Sequence, residues 1–437
     1  MSTRHAEEGA PISYERYMSS PEFAAMRGIP GTAVAAKAQL YSSARKRSLL
    51  FFLQSQSLRD GGLRQIARAL KFSGQSEEET AGFLVELCIN PEFVIQFATE
   101  SSRKESLLPL CTRIAEAVRE YQDAYEARVK EEFVQTTIGK EIFETLEHGL
   151  GIGKMVVIEG ESGSGKTTAV DAWCAVHQGK VRCVSLSGIT HKTGFFQKLA
   201  TAIGLAASKR KATDMQVKVE DFFRKTRLML VIDEAHYLFP QHQRSHSSPE
   251  LVDWVNTALV NQGVPVALIC TDQFAKLKAR VEKRTGWTSE QLEHRVKRYT
   301  KLPGTPTKKD LEAVATKLLA IRWNVSERQW NLAGAVPCPH FIQLVVGYAL
   351  TCKMPLPAVS DTIEEARYQA RRKGRTQLAG SDLRNAVMDF RIPSDAALER
   401  VFGNRARSTI GRPGRVFASA RDGQLQAACS GVANIGR

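Results

Sequence analysis

Eight consecutive residues, Gly160-Glu161-Ser162-Gly163-Ser164-Gly165-Lys166-Thr167, set glycines, a lysine and a hydroxyl at the spacing G-x-x-x-x-G-K-[ST]. A chain of phosphates needs several backbone N–H groups turned into one concavity. Glycines permit the left-handed turns and close approach that such a concavity requires. The apolar run Met155-Val156-Val157-Ile158-Glu159 predicts a strand leading in, and Lys166-Thr167-Thr168 predict a helix whose N-terminal dipole adds to the anion site. Residues 160–168 are thus expected to cradle a nucleoside triphosphate. Lys166 would reach the β- and γ-phosphates and Thr167 would ligate Mg²⁺.

A second run, Leu228-Met229-Leu230-Val231-Ile232-Asp233-Glu234, is apolar until it ends in two carboxylates. Such a pattern predicts a buried strand that delivers Asp233 to its carboxyl end, where ligands of doubly wound sheets bind. Asp233 is expected to hold Mg²⁺ through water. Glu234 is placed to orient and deprotonate an attacking water, which points to hydrolysis rather than binding alone. Asp233-Glu234-Ala235-His236 also spells the box of a helicase group, but that group's other motifs are absent. The next apolar run, residues 265–270, ends in Thr271-Asp272. If its strand lies beside that of Asp233, Thr271 would touch the γ-phosphate or the water.

These side chains need a scaffold. Short Val/Ile/Leu-rich runs at 155–159, 181–186, 228–232, 265–270 and 298–302 alternate with helical patterns at 167–177, 195–205, 217–227 and 249–262. That alternation predicts a parallel sheet covered on both faces by helices. Residues 1–135 read as a helical N-terminal domain, with 62–87 fitting a helix-turn-helix weakly. Pro303-Gly304-Thr305-Pro306 marks a boundary, and Thr307-Lys308-Lys309-Asp310 approximates a capping box before an apolar stripe. Residues 304–400 are expected to form an all-helical lid, and the arginine-rich stretch 401–437 a basic, disordered tail.

With 61 Lys and Arg against 46 Asp and Glu, the formal net charge is +15. Such a surplus suggests a polyanionic partner, nucleic acid first. Candidate DNA contacts are Lys192 and the cluster Lys209-Arg210-Lys211, with the 241–246 loop and the tail beside them. The eight cysteines form no CxxC pair, and no run is long and apolar enough to span a membrane. A cytoplasmic, non-membrane protein is the expectation.

Taken together, Gly165-Lys166-Thr167, FFQKLATAIGL at 195–205, LMLVIDEAHYL at 228–238 and GVPVALICT at 263–271 make the chain similar to the AAA+ ATPases of DNA transposition, the MuB, TniB and TnsC group of target-selection proteins. The likeness covers about 136–303 as an AAA+ P-loop domain, with 304–400 as its lid. It implies ATP with Mg²⁺, Thr271 as the sensor-1 residue, and an arginine before the last strand, Arg295 rather than Arg298, serving the neighbouring subunit's ATP. It further implies an ATP-dependent homo-oligomer on duplex DNA that recruits a transposase. The lid's expected sensor-2 arginine is replaced near Pro339-His340-Phe341. Two other readings use the same ATP site: a replication initiator or helicase loader, and a signalling NTPase switch without DNA binding.

Overall fold

The computed structural model describes residues 44–57, 62–70, 84, 108–188, 191–205, 211–241, 248–324, 329–332 and 337–390. Helices α1 (Ala44–Ser57), α2 (Gly62–Leu70) and α3 (Leu108–Glu132) precede α4 (Thr137–Ile152). The α/β segment then runs β1 (Met155–Glu159), α5 (Lys166–Val176), β2 (Val181–Ser185), α6 (Lys192–Ala202), α7 (Ala212–Thr226), β3 (Met229–Asp233), α8 (Glu250–Trp254), β4 (Val266–Cys270), α9 (Gln273–Thr285), α10 (Glu290–Glu293) and β5 (Val296–Lys301). It is an α/β P-loop sheet of five strands in the order β2-β3-β4-β1-β5. Contacts divide the chain into two compact units. One holds residues 1–133, 143–159 and 169–300; the other holds 134–142, 160–168 and 301–437.

In the first unit, β1, β3 and β4 are buried at every residue, as expected of strands with helices on both faces. The edge strands differ. β2 is partly open and β5 alternates half-buried with exposed residues, so β5 carries the polar sequence Val296-Lys297-Arg298-Tyr299-Thr300-Lys301. Thr145 and Thr300 hydroxyls lie 2.8 Å apart, fixing β5 to α4. The helix predicted at 249–262 is not uniformly α. It passes from α8 into a π turn at Val255–Leu259 and a 3₁₀ turn ending at Gly263. Trp254 packs edge-on against Phe195 and Phe196, and its indole N–H donates to Glu220 at 2.6 Å.

The N-terminal helices share the core of this unit: Phe51, Phe52, Leu53, Leu63, Ile66 and Val118 belong to the same buried cluster as the strands. A polar seam runs along β2. The buried Arg182 guanidinium donates to the carbonyl of Phe51 and to Gln54 Oε1, both at 3.0 Å, and to the carbonyls of Gln178 and Val181. Gln56 donates to Gln178 at 2.6 Å, and Gln178 donates to the Tyr125 hydroxyl at 3.1 Å. Of the second helix of the 62–87 helix-turn-helix pattern only Leu84 is among the described residues, and the 401–437 tail lies outside them.

The second unit contains α11 (Lys308–Leu319), β6 (Ile321–Asn324), β7 (Gln329–Leu332), α12 (Pro339–Ala349), α13 (Pro355–Arg372) and α14 (Gly380–Phe390). The all-helical expectation for 304–400 is corrected here: β6 and β7 pair antiparallel as a hairpin. Ile321, Trp323, Trp330 and Leu332 are strand-favouring residues, and they suit pairing better than a helical stripe. The helices close on Leu311, Val345, Val359, Ile363 and Leu383, all fully buried.

Asp310 is the polar centre of this unit. The capping box is complete, with Thr307 Oγ1 accepting from the Asp310 backbone and the Asp310 carboxylate accepting from Thr307 N–H at 3.0 Å. The same carboxylate accepts from the Thr137 N–H at 2.7 Å, which binds the start of α4 to α11. Burial pushes the Asp310 carboxyl up, but the hydrogen bonds from Thr137 and Thr307 outweigh it and hold the group below its ordinary value. A depressed folded-state value gives stability that is present above the unfolded pKa, about 3.9, and lost as pH falls through the folded one. Asp310→Ala is therefore expected to lower stability by about 2 kcal/mol at neutral pH, in urea unfolding. The difference from wild type should shrink on acidification below about pH 4; a constant difference down to pH 2 would refute the carboxylate's role.

Candidate functional site

The parallel registers decide what the sheet presents at its carboxyl edge. Val231 pairs with Ala267 and Ile232 with Leu268, while Val157 pairs with Leu268 and Ile158 with Ile269. The ends of β1, β3 and β4 therefore come level on one edge of the sheet. From that edge emerge Asp233-Glu234 after β3, Thr271 after β4 and, along the chain, Gly160 after β1. Three neighbouring strands thus end near one another on this edge.

Asp233 is buried, and its Oδ1 accepts from the Glu234 N–H at 2.9 Å. Glu234 adopts φ +56°, one of only two non-glycine residues with positive φ among the described residues. Left-handed backbone at a non-glycine costs on the order of 1–3 kcal/mol and collects at functional sites. It turns the chain sharply from the strand into a 3₁₀ turn, Ala235–Leu238, so that the carboxylate leaves the apolar β3 axis. Glu234 Oε2 lies 3.2 Å from Nδ1 of His236, a buried ring that the sequence reading assigned no part. Its only signal in the sequence is a histidine two residues beyond the acid.

Thr271 is buried, and its Oγ1 has no hydrogen-bond partner among the described residues. A buried hydroxyl without a partner costs about 1–3 kcal/mol, which a ligand oxygen would relieve. Next to it, Cys270 Sγ lies 3.4 Å from the Ile158 carbonyl. At the end of β1, the Tyr299 hydroxyl donates to the buried Glu159 carboxylate. Burial first, then the bond and charge of Glu159, push the Tyr299 phenol up, so it remains a donor at neutral pH.

The glycine loop has the conformation its sequence predicts. Gly163 and Gly165 take φ +77° and +88°, values closed to most side chains. An added Cβ at Gly163 would sit 2.9 Å from Met354 Sδ, and one at Gly165 would sit 3.1 Å from Leu356, so within the second unit the residues that begin α13 pack against this loop. Lys166 is buried, and its ammonium donates to the Gly160 and Glu161 carbonyls at 2.8 and 2.7 Å. Ser164 Oγ is buried without a hydrogen-bond partner among the described residues. Glu161, Ser162, Thr167 and Thr168 are exposed along the same turn and first helical turn. An ammonium held by loop carbonyls, an orphan hydroxyl and two left-handed glycines form a donor set that fits phosphate. Thr167 offers a hydroxyl and Asp233 a carboxylate, and each is an oxygen donor of the kind that suits Mg²⁺. Among the described residues no cluster of three His, Cys, Asp or Glu offers another metal site.

Arg295 lies in the turn directly before β5, and its guanidinium donates to the Gln291 carbonyl at 2.8 Å. Arg298, by contrast, is on β5 itself and half-buried. Of the candidate DNA contacts, Lys192 opens α6 with its ammonium 3.8 Å from Glu250, and Lys211 is exposed just before α7. Lys209 and Arg210 lie outside the described residues, as do residues 242–246.

Comparison with known proteins places residues 153–277 against a family model described as AAA domain. No curated protein matches the chain. Among solved structures, the Aeropyrum pernix ORC2 protein in its ADP form is 16% identical at TM-score 0.41, over 57% of this chain and 66% of that one. The Pyrobaculum aerophilum Cdc6p is 12% identical at TM-score 0.43, over 68% and 86%. The Thermotoga maritima RuvB Holliday junction branch migration motor is 16% identical at TM-score 0.36, over 68% and 80%. This chain thus spans just under two thirds of the ORC2 chain. No helix of the described residues is long and apolar enough to cross a membrane. The glycine loop, the acid-ended β3 and the sheet order, with the family match, make residues 153–277 an AAA domain on an α/β P-loop fold.

Proposed function

We propose that the chain is an ATP-hydrolysing, duplex-DNA-binding AAA+ ATPase that works as a homo-oligomer, and that its task is target selection in DNA transposition. The observation that carries the hydrolytic part is the level carboxyl edge, where Asp233-Glu234 and the orphan Thr271 hydroxyl emerge from adjacent strands. Residues 160–168 would hold the phosphates, with Lys166 leaving its loop carbonyls for the β- and γ-phosphates. Thr167 and Asp233 would hold Mg²⁺, which supplies charge neutralisation when bound. Glu234 would take a proton from water as that water adds to the γ-phosphorus, with ADP as leaving group; Thr271 would hold the water or the γ-oxygens. In chain order the working division is 1–135 as N-terminal helices, 136–303 as ATPase, 304–400 as lid and 401–437 as tail. The transposition assignment, with a transposase as partner, is supported by the motif likeness to target-selection ATPases. The DNA assignment is supported by the net charge of +15.

The nucleotide site is tested by two substitutions. Lys166→Ala should abolish ATP binding in calorimetry. Glu234→Gln should bind ATP as wild type yet hydrolyse it at least about 10²-fold more slowly, as befits a lost general base; undiminished turnover would refute the assignment.

Arg295 ahead of β5 is expected to act on a neighbour's nucleotide. Mixing Lys166→Ala with Arg295→Ala protein should then restore part of the hydrolysis that each lacks alone. Absence of rescue at every ratio, with both variants assembled, counts against a shared site.

DNA binding through phosphates should fall by orders of magnitude between about 50 and 200 mM salt while depending little on base sequence. Negligible affinity at low salt with ATP, with ADP and without nucleotide would leave the signalling-switch reading in its place.

A further inference from the structure

The Glu234–His236 contact lies within one compact unit and has a fixed side and a movable side. The His236 side chain is 6% exposed and that of Glu234 30%. His236 belongs to a four-residue 3₁₀ turn in which Ala235 and Leu238 are buried in the core as well. Its carbonyl accepts from the Phe239 N–H at 3.2 Å and from the Gln241 side-chain amide at 2.9 Å. The imidazole lies against the Tyr237 ring with centroids 4.4 Å apart, and the Tyr237 N–H donates to the Glu234 carbonyl at 3.0 Å. The ring is thus anchored by backbone, core and aromatic contact. The glutamate hangs on a left-handed residue with three side-chain torsions to settle.

An imidazole buried only for packing has no need of a carboxylate, and a half-open carboxylate facing water would ordinarily spread over several rotamers. Here the Nδ1 of the anchored ring lies 3.2 Å from the carboxylate oxygen Oε2. We infer that His236 is a positioning residue that orients the Glu234 carboxylate for proton abstraction from the attacking water. This rests on the reading of Glu234 as the general base. In this role His236 acts through Glu234 by confining its rotamers, and no proton leaves the imidazole in the step. Restraint in an unproductive pose is the opposite prediction, and the direction of the rate change separates the two.

The test compares full-length His236→Ala, His236→Asn, His236→Gln, Glu234→Gln and the His236→Ala, Glu234→Gln double variant. An asparagine amide falls near the place of Nδ1 and a glutamine amide near that of Nε2. His236→Ala is expected to lower kcat about tenfold or more, with KM and the calorimetric affinity for ATP within about twofold of wild type. His236→Asn should recover most of the loss and His236→Gln little of it. Removal of His236 should cost nothing further once Glu234 is Gln, because residues acting as a unit are not additive. An unchanged or raised kcat in His236→Ala, equal rates in the Asn and Gln variants, or an additive double variant would each overturn the inference. If His236→Ala does not fold, the Asn-against-Gln comparison decides it alone. Full hydrolysis by Glu234→Gln would instead remove the general-base reading, and is seen before any His236 variant is consulted.

Discussion

The parallel registration of β3 on β4 and of β4 on β1 is the constraint from which the site follows. Because Ile232 is level with Leu268, and Ile158 with Ile269, three chain segments leave the sheet at one height. A slip of one residue would exchange the faces of a strand. Here it would also retract Asp233 into the apolar interior or push an isoleucine out in its place. Complete burial of all three strands, with both faces packed, makes such a slip costly. The precision of the carboxyl edge is therefore a property of the core, and the polar residues inherit it.

Two kinds of unmet demand mark that edge. The Thr271 hydroxyl is buried without a hydrogen-bond partner among the described residues, and Glu234 holds a backbone conformation that its side chain opposes. Folding by itself favours neither. Lys166 shows the complementary arrangement, since its ammonium is satisfied by carbonyls of its own loop. Burial with loop carbonyls as partners keeps that ammonium away from bulk water.

Much of this was legible in the residues. The glycine spacing, the runs ending in Asp233 and Thr271, and the Thr307–Asp310 capping box announce themselves because each depends on neighbours in the chain. The strand limits shifted by one or two residues, most at β5, where an exposed edge face blurs the apolar pattern. The β6–β7 hairpin was hidden because the helix-patterned stretches on either side carried the reading through it. The π turn at Val255–Leu259 was equally silent, since one extra residue in a helix leaves its apolar count unchanged. Arg182 could not be read at all. An arginine in a strand reads as an outward-facing residue, and only tertiary structure reveals that α1 covers it.

That burial of Arg182 bears on how the protein can be divided. From β2 its guanidinium reaches α1, where the Phe51 carbonyl and the Gln54 amide oxygen accept from it. A shortened chain beginning near residue 136 would keep every motif of the nucleotide site. It would also hydrate a cation built for burial and open the apolar seat of Phe51, Phe52 and Leu53. Large exposed apolar surface invites association between copies. Clumping of such a fragment would then reflect a missing cover strip and say nothing about the ordered assembly of the full chain.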